Sequence, residues 1–234
     1  MSAFLTIAQL VPEVALELGN RQDLTAGSPS RIAMWLADAY KDLGMTWPLE
    51  TLQKSVQLQF TPGTDLYPYP SDCRGIVTLT IVQPDGTTLP IRRRNIKVLR
   101  RFTTISGSWG PPTIYASFGR QIYVRPVPDQ GYNFYWDYWM YPTLTQPWAN
   151  VANTPVMVPP DWYEIVRFAA VMRGHMALLE RDKAAEIKQL LYGNPDDPNA
   201  PPGLIKAKIL QKASENVDSE FAIRPLTRRY TQAK

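Results

Sequence analysis

The residue types that could do chemistry are scarce, and their spacing narrows what that chemistry could be. His175 is the only histidine and Cys73 the only cysteine in 234 residues. A histidine-based metal site or a serine triad would have to be built around His175. That residue stands at helical spacing with Met172, Met176 and Leu179, which reads as a packing or hydrogen-bonding position. A nucleophilic cysteine needs a basic neighbour to hold it as the thiolate, and near Cys73 the sequence provides only Arg74. Two carboxylate pairs, Asp161 with Glu164 and Glu180 with Asp182, could divide acid and base roles across a glycosidic bond. Helix-start and exposed-face positions explain them without catalysis, so a peptidoglycan-degrading enzyme stands as the alternative rather than the reading. No phosphate loop and no glycine-rich dinucleotide fingerprint occurs; ATP hydrolysis is not expected and no cofactor is implied.

Composition agrees with a packed chain, since 44% apolar and 20% charged residues are enough for a core. One cysteine rules out an internal disulfide and fits folding in a reducing cytosol. Neither a cleaved signal peptide nor a membrane-spanning helix is expected. The net charge of +4 is unevenly placed. Residues 203–234 hold seven basic residues against three acidic, and the remainder balances 18 against 18. Within that balanced remainder, Arg92, Arg93, Arg94, Lys97, Arg100 and Arg101 form a run with no acidic residue among them. Such a strip could contact phosphates or neighbouring subunits. No helix-turn-helix, zinc-finger or RNA-binding signature accompanies it, so a basic nucleic-acid-binding protein is a further alternative.

The elements that must position these residues follow from periodicity. Thr6 with Gln9 starts a helix as a capping box and Gly19 stops it, with Pro12 either kinking it or lying in its first turn. Ile32, Leu36, Tyr40 and Leu43 define a second helix that Gly44 and Pro48 should end. From Leu52 the period becomes two: Val56, Leu58 and Phe60 share one face, as do Val77, Leu79 and Ile81. A turn at Pro84-Asp85-Gly86 leads into Thr87 to Ile91, and a short helix follows Asn95. Thr113 to Phe118, Gln121 to Val127 and Tyr132 to Tyr141 read as an antiparallel meander. After Pro160, an Asp161 and Glu164 capping box opens the longest helix, with Ile165, Phe168, Met172, Met176 and Leu179 on one stripe, continued to Leu191. Pro195, Pro198, Pro201 and Pro202 then mark a linker. The expectation is an α+β chain: a helical body from residues 1–48 and 156–193, an antiparallel β-sheet domain inserted at 49–155, and a linker with an extended C-terminal arm at 194–234.

This succession resembles the head-to-tail adaptor family of tailed bacteriophages, which includes tail tubular and tail accessory proteins. The residues that carry the resemblance are Pro112-Thr113-Ile114-Tyr115, then Gly119-Arg120-Gln121-Ile122-Tyr123-Val124-Arg125-Pro126-Val127-Pro128-Asp129, then Tyr138-Trp139-Met140-Tyr141-Pro142. Ala152-Asn153-Thr154-Pro155 leading to Pro159-Pro160-Asp161-Trp162 and the helix beyond continues it, and the likeness covers roughly residues 5 to 192. It implies a structural, non-enzymatic virion protein of the neck, made in the host cytoplasm. Its partners would be the portal ring, the next tail or nozzle component, identical subunits in a ring of about twelve copies, and packaged DNA passing through the channel. No membrane partner is implied. Loops at Gly107 to Pro111 and Gln146 to Thr154 would face the tail. In the arm, Leu204, Ile205, Ile209, Phe221, Ile223, Leu226 and Tyr230, with Arg228 and Arg229, are the candidates for portal binding, because they are too apolar for a solvated tail and too few for a core. A chain cut after Gly193 should then fold but not load. The alternative for this segment is a helix folded back on its own body.

Overall fold

The structure, a computed structural model, describes residues 4–83, 85–102, 109–194, 197 and 200–215. Helix α1 spans Ile7–Glu17, with the Gln9 Oε1 accepting the Thr6 N–H at 2.8 Å. Pro12 lies inside it, and the carbonyl that its ring leaves without a donor belongs to Ala8, which is exposed. The helix closes at Gly19, φ +77°, with Asn20 N–H donating to Ala15 C=O and Gly19 N–H to Leu16 C=O, a Schellman ending. A short α2, Gln22–Thr25, precedes α3, Arg31–Thr46, whose start is capped by Ser30 Oγ accepting from Ala33 N–H. Gly44 does not end α3. It is buried within it, and a Cβ there would come within 2.9 Å of the Leu52 and Pro142 side chains, so glycine permits close packing.

The strands are β1 Gln53–Gln59, β2 Leu66–Pro68, β3 Cys73–Val82, β4 Thr88–Pro90 and β5 Arg92–Arg93. Helix α4, Ile96–Phe102, separates them from β6 Ile114–Phe118, β7 Gln121–Arg125 and β8 Asn133–Met140. They form two four-stranded sheets, ordered β1-β8-β3-β4 and β2-β7-β6-β5, antiparallel except for the β5–β6 pair. The expected meander is therefore corrected. β6 and β7 form a hairpin, but β8 joins the other sheet between β1 and β3. Pro126 and Pro128 cannot donate to a ladder, and β7 stops before them. Val77 is a second correction: the ladder shifts between Ile76 and Thr78, which turns Val77 outward to 41% exposure while Leu79 and Ile81 stay buried.

The facing sheets enclose an aromatic core. Phe134, Trp136 and Tyr138 of β8 are buried, Phe60 stacks on Phe134 at 3.9 Å, and Ile122, Val124 and Tyr115 close it from the second sheet. The opposite side of β8 is only partly covered. On the outer face of the second sheet lies α4, held by the buried Leu99.

Past two 3-10 turns, the expected long helix is two: α5 Tyr163–Ala177 and α6 Arg181–Tyr192. Leu179 adopts φ +62°, and Leu179 N–H and Glu180 N–H donate to Met176 C=O and His175 C=O, closing α5 as Gly19 closes α1. The buried stripe of α5 is Ile165, Val166, Ala169 and Ala170, whereas Met176 and Leu179 are exposed. Asp161 does not cap α5; it lies in the preceding 3-10 turn. Helices α1, α3 and α5 share a mostly aliphatic core that includes Ile7, Leu10, Leu36, Ile165 and Val166, with Tyr40 buried among them. Helix α7, Leu204–Glu215, packs on α6.

Candidate functional site

The groups that suggested catalysis are dispersed into structural contacts. Asp161 Oδ2 faces Lys208 Nζ of α7 at 3.7 Å. Glu180 accepts from Lys183 at 3.1 Å and meets His175 Nδ1 at 2.6 Å, and these two hydrogen bonds hold its carboxyl below the usual range. His175, 7% exposed, thus ties the end of α5 to the start of α6. Cys73 is fully buried, and desolvation pushes its thiol up to about 11, even though the Arg120 guanidinium favours the thiolate. Among the described residues, no three of His, Cys, Asp and Glu are placed to hold a metal ion, and no helix is long and apolar enough to cross a membrane.

Two arginines make contacts that the sequence does not show: Arg74 ties a sheet to a helix, and Arg120 ties the two sheets together. The Arg74 guanidinium donates to the carbonyls of Gly44 and Trp47 at the end of α3, where a cation also meets the negative end of the helix. Arg120 sits in the two-residue β6–β7 turn, where Gly119 and Arg120 both have φ +59°, the geometry of a primed hairpin turn. From there it donates to Ser71 and Cys73 carbonyls and to the Tyr141 hydroxyl. Neither bond had a signal in periodicity, because both depend on loops meeting in space.

The basic strip is held together by its backbone, and its described side chains stand at the surface. Arg92 N–H donates to Thr113 C=O and Arg94 N–H to Tyr115 C=O, and Arg92, Arg93, Arg94, Lys97 and Arg100 are all exposed. Arg93 donates to Ser117 Oγ at 3.2 Å and Arg100 lies 6.0 Å from the Phe118 ring centroid. Arg92 and Arg94 turn the other way, into a cleft floored by Ile81, Leu89, Pro112 and Ile114 where β4 and β5 form the free edges of the two sheets. Neither has an acidic partner among the described residues. The Arg101 side chain lies outside the described residues.

The C-terminal candidates separate into two groups. Ile205 is 2% exposed within the helical core, and Leu204 and Ile209 pack against that core. Gly203 lies against the backbone of Leu191, Tyr192 and Gly193, too close for any Cβ. The linker therefore returns residues 203–211 to the body instead of freeing them, because burying these apolar side chains outweighs leaving them in water. Phe221, Ile223, Leu226, Arg228, Arg229 and Tyr230 lie outside the described residues.

The two loops expected to face the tail also differ. Residues 146–154 sit on the helical body: Val151 is fully buried in its core, Ile7 N–H donates to Thr154 C=O, and Ser28 Oγ donates to Ala149 C=O. Trp109, 60% exposed and close to Gly63, remains at the opposite end of the sheets.

Comparison with known proteins adds the family. No curated protein sequence matches the chain. The family model of the SU10 adaptor protein matches residues 5–194, which takes in α1 to α6 and both sheets and leaves out α7. The chain belongs to the SU10 adaptor protein family, a family of phage head-to-tail adaptors.

Proposed function

We propose that the protein is a structural subunit of the virion neck that forms a ring beneath the portal, joins it to the tail and continues the DNA channel, with no catalytic step of its own. The family match over 5–194 carries this reading, and the layout of the molecule supports it. One hydrophobic core lies in the helices and another between the sheets. β3 runs away from its Arg74 anchor beside α3 for seven residue steps to Ile81, about 23 Å. The protein therefore has a helical end and a sheet tip, suited to two different partners. The helical body packs with neighbouring subunits and portal, and the tip at Trp109 to Pro111 meets the next tail component. The strip Arg92 to Arg101 serves DNA or an adjacent subunit. The chain after Glu215, with Leu226, Arg228, Arg229 and Tyr230, supplies the portal contact; a cut after Gly193 would remove buried Ile205, so the informative cut is after Glu215.

Substituting Trp109 is expected to block tail attachment while the adaptor stays on the portal. Release of that variant from the portal would reverse the orientation. Truncation after Glu215 is expected to leave a folded chain that fails to load, and normal loading would contradict portal binding through this segment.

A further inference from the structure

Strand β8 is aromatic on both faces, and the chain buries only one of them. Phe134, Trp136 and Tyr138 fill the core, so the alternate residues Tyr135, Asp137 and Trp139 point outward. Val77 turns out on the neighbouring strand β3. Tyr135 and Val77 are exposed, and Asp137 and Trp139 are half-buried. An antiparallel sheet whose second face is left to water carries polar residues there. This one carries two rings and a carboxylate that meets no cation among the described residues.

The other outer face of the sandwich has the opposite charge. Tyr115 of β6 points into the core, so Ala116 and Phe118 point away from it, on the side where α4 packs. Phe118 is 58% exposed with the Arg100 guanidinium over its ring, and Lys97 and Val98 of α4 are exposed as well. One face is thus apolar and basic, the other apolar and acidic.

We propose that these two faces meet between neighbouring copies of this chain: α4 and Phe118 of one subunit pack on Tyr135, Asp137 and Trp139 of the next, with Lys97 and Arg100 opposite Asp137. This rests on the ring reading and gives the α4 part of the basic strip to the adjacent subunit. Charge selects the pairing. Either face against its own copy would set cations on cations or Asp137 on Asp137, whereas unlike faces bring cations to a carboxylate. Unlike faces also make a heterologous contact, which repeats from copy to copy and closes a ring; a like-with-like contact ends at a dimer. The levels agree too. Trp139 stands one residue before Met140, the partner of Cys73, and Phe118 stands two before Arg120, which donates to the Cys73 carbonyl. Both faces therefore carry a ring at the end of the sandwich beside α3, and copies related by rotation about the channel keep that level.

The test uses full-length protein loaded on portal, with rings counted by electron microscopy. Asp137→Lys alone, and Lys97→Glu with Arg100→Glu alone, should each lower the fraction of closed rings at least about tenfold. The chain carrying all three changes should restore them. If Asp137→Lys does not melt with the parent, Asp137→Asn keeps the shape and should give a smaller loss of the same sign. Tyr135→Cys combined with Val98→Cys is expected to give a ladder of disulfide-linked multimers on oxidation, absent from either single variant; native Cys73 is buried and does not compete. Rings that form without links and without charge dependence would overturn this contact and leave the ring reading standing. Failure of the triple variant to restore rings would overturn it too, as would charge reversals that spare the ring and lower DNA retention instead. If the parent chain forms no ring, the ring reading fails and the contact with it.

Discussion

The helical body and the β4–β5 rim of the sheet sandwich use charge in opposite ways. In the body, arginines are matched across helices: Arg167 of α5 bridges Glu13 at 3.0 Å and Glu17 at 3.2 Å of α1, and Arg173 pairs with Asp42 of α3. On the rim of the sandwich, Arg92 and Arg94 lie over an apolar cleft without such partners among the described residues. The cores differ as well, aliphatic and alanine-rich between helices, aromatic between sheets. The contrast teaches that charges satisfied within the chain belong to its scaffold, whereas those over the cleft stay available at the surface.

The largest expected effect breaks the aromatic core. Phe134→Ala removes the ring stacked on Phe60, and a loss of about 3–5 kcal/mol is expected by urea denaturation; a loss below about 1 kcal/mol would mean that the sandwich does not depend on this stack. Next is Gly203→Ala, whose new methyl would collide with the Leu191 to Gly193 backbone. It should weaken the docking of α7 by about 1–3 kcal/mol, seen as faster hydrogen exchange at Ile205 and Ile209 with α1 and α3 unchanged.

An alkaline effect on the order of 1 kcal/mol follows from burial at the junction. The Cys73 thiol, ordinarily near 9, is pushed up to about 11 in the folded chain. Above pH 9 the unfolded chain therefore loses this proton before the folded one, and stability falls as pH rises from 9 towards 11. Cys73→Ala should flatten that part of the profile, and an unchanged slope would assign it elsewhere. Smallest and most specific to the contrast is a pair of charge removals. Arg167→Ala should cost about 0.5–1 kcal/mol, since its ion pairs are partly solvated, whereas Arg92→Ser with Arg94→Ser should leave stability within about 0.5 kcal/mol of the parent. Equal losses in both would erase the distinction.

Much of the fold was legible because periodicity reports local burial. Ile32, Leu36, Tyr40 and Leu43 are all buried along α3, and Thr6, Gln9 and Gly19 do bound α1. What was not legible depends on meetings across the chain. Gly44 looks like a stop and is a close-packing position against Leu52 and Pro142. Leu179 carries no turn signal, yet it breaks the long helix, because its φ is set by the way α5 and α6 fold together. The alternation of β8 shows two faces but not which sheet receives them. For the candidate site, the basic strip was visible as composition. Its cleft was not, since Ile81, Leu89 and Pro112 come together only when two sheet edges meet.

The most direct measurement is sedimentation of the full-length protein with and without its portal ring, followed by cryo-microscopy of the complex. The adaptor assignment predicts a monomer or weak oligomer alone and a closed ring of this chain on the tail-facing end of the portal, helical body inward and Trp109 outward. A chain that neither binds the portal nor forms a ring on it would contradict the assignment.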